Sequence, residues 1–466
     1  MDVEWAGFTP ELLLALSRDG RQPLGSQLKQ SLRQAARTGR LQPGERLPSS
    51  RQLARDLGVS RGMVQSAYEQ LEAEGYLVAA GGSATRVAAT HQTQATPPTP
   101  SAHPPRPDVD FAPGRPDLRS FPMRDWMWAC GEAGRTASSR DLGYGDGAGS
   151  ERLRRVVASY AQRVRAAATQ PDQVVVCSGF VQGAALTLSA LRRRGHQVVA
   201  VEDPGHDAIR VLVQRAGLQP VQVPVDDQGV VVKALAATAA TVAVLTPAHQ
   251  TPTGVVLSAA RRRELLQWAA AADAAVIEDD YDSEFRYDKQ PVGCLQGLAP
   301  DRVVSIASVS KTLAPAVRLG WVLAPPALAT AIGQEKFDSD RGSPGLDQIA
   351  LAHLLESGRF DRHLRRMRGI YRGRRTSLTE ALSVHAPTAQ LSGLAAGFHA
   401  LLHLPAGADE DAVVAAAALR SVGLQGLRRY RFPGSTGPAG LVLGFGDLTE
   451  SAIRRGVIEI ADLLQP

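Results

Sequence analysis

The stretch "ATHQTQATPPTPSAHPPRPDVD", residues 89–110, limits this chain more than any other. It is rich in proline, threonine and alanine and nearly free of large apolar side chains, so it cannot bury enough surface to fold alone. Its prolines favour an extended chain. One continuous core across it is excluded, and 466 residues are in any case too many for one ordinary domain. The sequence divides into a domain at 1–88, a linker at 89–109 and a second domain at 110–466. No internal repeat is visible.

Hydrophobic residues make up 44% and charged residues 21%, the balance of a soluble globular chain. A net charge of +6 permits a nucleic-acid partner without requiring one. Cys130, Cys177 and Cys294 are isolated; they have no metal-ligand spacing, and their odd number argues against a disulfide framework. The start "MDVEWAGFTPELLLALSRDG" lacks a basic segment followed by a long apolar core. No apolar run reaches membrane length. A cytoplasmic location, no metal and no membrane are the expectations.

In the first domain, "RLPSSRQLARDLGVSRGMVQSAYEQLEAEGYLVAAGGSATRV" has the rhythm of two helices joined by a tight turn. Ser49 and Gln52 fit a capping box. Leu53, Ala54 and Leu57 form one inner face, and Gly58 suits the backbone angles that end a helix. Ser60 is an N-cap for the next helix, whose Val64, Ala67, Tyr68 and Leu71 fall at helical spacing. Arg61, Gly62, Gln65, Ser66 and Glu69 share the opposite face. Gly75 ends that helix, and "AGGSATRV" then turns back as a wing. A helix-turn-helix of this kind sets the N-terminal end of its second helix in the major groove of double-stranded DNA. Arg61, Gln65, Ser60 and Ser66 lie at that end, whereas Ser49, Arg51 and Arg86 are placed for phosphates, which fix register but not sequence. The bland alternative is a small helical bundle.

Residues 110–466 alternate apolar runs with arginine- and alanine-rich helical segments. "QVVVC", "QVVAV", "TVAVL", "AAVIED", "RVVSIA" and "GWVLAP" are strand-like, which predicts an α/β domain with a mostly parallel sheet. Ligands of such sheets sit beyond the carboxyl ends of the strands. After "QVVVC" come Ser178 and Gly179, opening a helix whose free amides suit an anion. After "AAVI" comes "EDDYDSEFRY", where Asp279 is costly to bury unless it pairs, for instance with a protonated ring nitrogen. After "RVVSIA" comes "SVSKTLAPAVRLGW". Lysine is scarce here, with Lys29, Lys233, Lys289, Lys311 and Lys336 among 52 basic residues. Partly desolvated, the Lys311 amine can form a Schiff base with an aldehyde. Ser308, Ser310 and Arg318 supply donors for a phosphate. Taken singly, each feature has an ordinary structural reading. Together they are what pyridoxal 5'-phosphate requires: an imine-forming lysine, a carboxylate for the ring nitrogen and a phosphate cup.

The first segment resembles the winged helix-turn-helix of the GntR superfamily, except that Gly62 stands where that family more often has a polar residue. From about Phe111 onward the chain is similar to fold type I aminotransferases. That resemblance implies Lys311 as the Schiff-base lysine, Asp279 as the ring-nitrogen partner and Tyr281 beside the phenolic oxygen. It also implies Ser178, Gly179 and Phe180 as the phosphate turn, completed by Ser308 and Arg318. Tyr144 in "GYGDGAG" matches a tyrosine that crosses from the partner subunit of a homodimer. Thr251 in "AHQTPTGVV" replaces an asparagine of the pattern, and His206 lies where an aromatic ring stacks on the pyridine. A GntR-type module, a proline-rich linker and an aminotransferase-like domain together resemble the MocR/GabR family of bacterial regulators. "GRFDRHLRRMRGIYRGRR" carries the same likeness.

Two functions of different class follow. One is a transcription factor whose cofactor domain senses pyridoxal phosphate or a small amine or amino-acid effector. The other is an active aminotransferase with a DNA-binding appendage. The resemblance places a carboxylate-gripping arginine after a "GF" motif near the C-terminus, and here "LVLGFGDLTES" has Asp447 there. Arg428, Arg429 and Arg431 in "GLRRYRF" are the alternative cations. The sensor reading is favoured, with regulation by vitamin B6 as one form of it.

Overall fold

The computed structural model describes residues 16–18, 22–80, 84–89, 107–287 and 292–465. Of the segment read as a linker, residues 90–106 lie outside the described residues. The chain forms two compact units, Met1–Pro104 and Pro105–Pro466.

The first unit contains α1 (Leu24–Arg37), α2 (Ser50–Leu57), α3 (Arg61–Ala73) and an antiparallel hairpin of β1 (Leu77–Ala80) and β2 (Ala84–Val87). Its core takes Leu28 and Leu32 from α1, Leu53 from α2, and Val64, Ala67, Tyr68 and Leu71 from α3, with Leu77 and Val87 from the hairpin. Ser49 and Ser60 each accept a hydrogen bond from the backbone three residues on, at 3.2 Å and 3.3 Å. Gly58 closes α2 at φ +62°. The reciprocal half of the expected capping box is not made. The Gln52 amide donates instead to Asp56 Oδ1, one helical turn along, at 2.9 Å. Tyr68 ties α3 to the chain before α2 by donating to Pro48 O at 2.9 Å. Wing residues 81–83 lie outside the described residues.

The second unit begins with β3 (Val109–Asp110), α4 (Met123–Thr136) and α5 (Glu151–Arg165). Val109, read as the end of the linker, is buried and already pairs in β3. Next come β4 (Val174–Cys177), α6 (Phe180–Arg193), β5 (Val198–Asp203), α7 (Asp207–Arg215), β6 (Gln219–Asp226) and β7 (Gly229–Val230). They are followed by α8 (Val232–Ala236), β8 (Val242–Leu245), α9 (Ala259–Ala271), β9 (Ala275–Asp280), β10 (Val303–Ser308) and β11 (Gly320–Leu323). The eight strands from β4 to β11 form one sheet in the order β4-β11-β10-β9-β8-β5-β6-β7. The run from β10 to β6 is parallel throughout, and β11 is reversed. All four residues of β4 and of β8 are buried, because helices cover both faces; hence these strands read as continuous apolar runs.

The remainder is α10 (Pro326–Asp340), α11 (Gly345–Glu356), the long α12 (Arg359–His385), β12 (Gln390–Ser392), β13 (His399–His403), α13 (Glu410–Leu419), β14 (Val422–Gly423), β15 (Gly440–Gly444) and α14 (Glu450–Ile460). Strands β12, β13 and β15 make a small antiparallel sheet, and β14 pairs with β3. Among the described residues, no helix is long and apolar enough to cross a membrane.

Candidate functional site

Strands β4, β5, β8, β9 and β10 all point their carboxyl ends toward a cavity of about 280 Å³. Ten of the residues expected to hold the cofactor line it: Gly179 and Phe180 after β4, His206 after β5, Thr251 after β8, Asp279 and Tyr281 at β9, and Ser308, Ser310, Lys311 and Arg318 after β10. They come from five separate segments, and the sheet alone gathers them.

Lys311 Nζ donates to Gly114 O at 2.5 Å. Burial lowers the pKa of its amine, against the opposing charges of Asp279 and Asp282. A larger share of the free base follows, which is the form that attacks an aldehyde. Asp279 is 7% exposed, and its Oδ1 has no hydrogen-bond partner. Burial first, then the charges of Asp280 and Asp282, raise its pKa well above the carboxylate range, while Lys311 acts the other way. An orphaned buried carboxylate of this kind is a vacant acceptor for a cationic N–H.

Gly179 stands immediately before α6 at φ +116°, in the left-handed region that favours glycine. A Cβ placed there would lie 3.7 Å from Ser310 Oγ and 3.9 Å from both terminal nitrogens of Arg318. A hydroxyl and a guanidinium thus converge on the amide end of a 14-residue helix. Ser308 Oγ accepts from Ser310 N–H at 3.4 Å and holds the turn. This donor set fits a phosphate monoester.

Tyr281 donates from its hydroxyl to His249 O at 2.9 Å. His249 Nδ1 lies 2.8 Å from Asp282 Oδ2. Burial pulls the pKa of this imidazole down, but Asp282 more than offsets it and the net direction is up. His399 lies tilted beside His249, with ring centroids 4.6 Å apart and planes at 44°, and lines the cavity. Burial, then the charge of His249, push its pKa well down, so the ring is neutral. His249, Asp282 and His399 bring ligating atoms within 4.8 Å of one another. However, His249 commits both nitrogens, to Asp282 and to Gly393 O at 3.1 Å, which leaves it no lone pair free for a metal. Glu202, at the end of β5, is pushed up to about 7 by burial; it takes the Thr246 N–H and hydroxyl, at 3.1 Å and 2.7 Å, and so fixes the loop that carries Thr251.

Two expectations, for Ser178 and Asp447, differ from the structure. Ser178 does not line the cavity; the turn presents Gly179 there, and the Ser178 N–H is used by Gln182 Oε1 at 2.7 Å. Tyr144, expected to serve a partner subunit's cavity, is 83% exposed and stands outside the cavity of its own chain. Asp447 is exposed and off the cavity wall, so its charge does not repel a ligand there. The chain turns away at Gly446, which packs against Phe398. Of the alternative cations, Arg428 pairs with Asp411 at 2.8 Å and Arg429 lies 3.7 Å from Asp207; their neighbour Tyr430 is the one that reaches the cavity. Sequence reading missed His399, Tyr430, Val442, Pro113 and Gly114 on the wall. No short motif marks them.

On α3, Arg61, Gln65 and Ser66 are exposed on one face, as expected, and Arg51 is exposed on α2. Ser49 and Ser60 spend their hydroxyls on helix caps. Gln65 Nε2 donates to Glu69 Oε1 at 3.1 Å, and Arg86 Nη1 donates to Gly44 O at 2.8 Å. Arg61→Ala should weaken DNA binding, and if the contact is to phosphate the salt dependence (log K against log salt) flattens by about 1. Binding titrations at three salt concentrations check this.

Residues 107–428 match the family of class I and II aminotransferases, and residues 24–87 match the gntR family of bacterial regulatory proteins. The chain is 34% identical to the pyridoxine biosynthesis transcriptional regulator PdxR of Corynebacterium glutamicum, over 97% of this chain and 98% of that one. It is 31% identical to the probable rhizopine catabolism regulatory protein MocR of Rhizobium meliloti, over 96% and 94% of the two chains. Among solved structures, a multiple substrate aminotransferase from Thermococcus profundus superposes with a TM-score of 0.70 at 24% identity, over 76% of this chain and 91% of that one. The chain belongs to the MocR-type family of transcriptional regulators, in which a GntR-type DNA-binding domain is joined to an aminotransferase-fold domain that takes pyridoxal phosphate.

Proposed function

We propose that this regulator responds to pyridoxal phosphate itself, or to a small amine, rather than to an α-amino acid. The cation inventory of the cavity carries the reading. Among the described residues lining it, Lys311 and Arg318 are the only arginine or lysine side chains. One is matched to an aldehyde and the other to a phosphate, so no guanidinium remains to grip an α-carboxylate. A transaminase needs that grip to orient its substrate. The 34% identity to a regulator named for pyridoxine biosynthesis supports the same reading.

Bound pyridoxal phosphate supplies an electrophilic carbon for the Lys311 amine. Asp279 would hold the proton of its ring nitrogen. Gly179, Ser310 and Arg318 would hold its phosphate, and Tyr281, oriented by His249, would face its phenolic oxygen. His206 and Thr251 complete the wall. The protein acts as a homodimer in the cytoplasm. Exposed apolar side chains at Leu142, Tyr144 and Leu346, which are 68%, 83% and 45% exposed, are suited to burial against a second copy. Occupancy of the cofactor domain then changes the affinity for a two-part operator, and a difference of a few kcal/mol between states is enough.

Melting curves with and without pyridoxal phosphate, then with amino acids added, test the reading. A shift of several degrees with the cofactor, and none beyond it with glutamate or γ-aminobutyrate, is expected. A large further shift with either amino acid contradicts it.

A further inference from the structure

A second cavity, of about 480 Å³, opens where the start of α4 meets the start of α12. Arg124 lines it from α4, and Arg362, His363 and Arg366 line it from α12. The side chains of Arg124 and Arg362 make no ion pair or hydrogen bond among the described residues. Arg366 spends one nitrogen on a backbone carbonyl, that of Ser120, at 2.6 Å. The one acid on the wall, Asp125, is already neutralised by Arg359. Three guanidinium groups therefore share a concave site with no free counter-charge.

A fourth residue on the wall is His363. His363 is 6% exposed, and its Nε2 is 2.8 Å from Thr312 O, so the proton sits on Nε2. Its Nδ1 has no partner and almost no accessible surface, so it faces protein rather than the cavity's contents. Three forked cations match a small oxyanion, whose charged oxygens the guanidiniums take.

We propose that this arginine-lined cavity is a second anion site, taking inorganic phosphate or a small phosphate monoester. It is separate from the cofactor's own phosphate turn. His363 bonds to Thr312, the residue next to Lys311, so the site also adjoins the segment that holds the lysine.

Full-length protein saturated with pyridoxal phosphate is titrated with inorganic phosphate by calorimetry, at ionic strength held constant with chloride. One saturable site is expected. Arg124→Gln and Arg362→Gln remove exposed side chains that hold nothing else, so the fold stays intact, and each weakens phosphate about tenfold. Arg318→Gln, which disables the cofactor's phosphate turn, leaves this site unchanged, so a failure of the cofactor assignment is told apart from a failure here. No saturable binding overturns the proposal. So does binding that Arg318→Gln abolishes and Arg362→Gln leaves alone, or variants that weaken operator DNA without changing phosphate binding.

Discussion

Asp279→Asn makes the cofactor-free protein more stable, by about 1 kcal/mol, and lowers its affinity for pyridoxal phosphate on the order of 100-fold. The two signs come from one cause. The carboxylate is buried beside Asp280 and Asp282, and its Oδ1 has no partner. Neutralising it relieves both repulsion and desolvation in the empty site. With the cofactor present, the same carboxylate is the counter-charge of a protonated ring nitrogen, and removing one partner of a buried pair costs several kcal/mol. Functional sites commonly hold stability in reserve in this way. Thermal melts of the apoprotein and a cofactor titration read the two effects separately. A variant less stable without cofactor and unaltered in affinity would show that Asp279 is only a structural carboxylate.

Leu71→Ala weakens DNA binding without affecting cofactor binding. Leu71 is fully buried in the core of the first unit. Truncating such a leucine costs roughly 2–5 kcal/mol. A body as small as residues 24–87 has only about 3–10 kcal/mol to lose, at 0.05–0.15 kcal/mol per residue. About half of its stability goes, while the second unit has its own cores. Urea denaturation should show an early transition for the first unit and an unmoved later one. Both transitions moving together would show the two units to be one cooperative body.

Much of the cofactor site was legible because parallel sheets put function at strand ends. Asp279, Lys311 and Gly179 each follow an apolar run that is buried on both faces, and such runs are conspicuous in sequence. His399, Tyr430 and Val442 were not legible. They enter the cavity from the C-terminal part of the chain, where nothing local distinguishes a wall residue from a core one. Asp447 was misjudged by counting from "GF", since position along the chain does not reveal that the strand has already turned away. The reversal of β11 could have been read, because residues 309–319 are too few for a helical crossover. Helix α1 gave little warning: Pro23 precedes it without a side-chain cap, although its buried residues keep helical spacing.

The most direct test of the account is chemical. Purified full-length protein is mixed with pyridoxal phosphate, its absorbance is recorded near the visible edge, borohydride is added, and the labelled peptide is sequenced. The account predicts a new band that borohydride abolishes, with the label on Lys311 and on none of Lys29, Lys233, Lys289 or Lys336. A protein that stays colourless, or one labelled at another lysine, contradicts it.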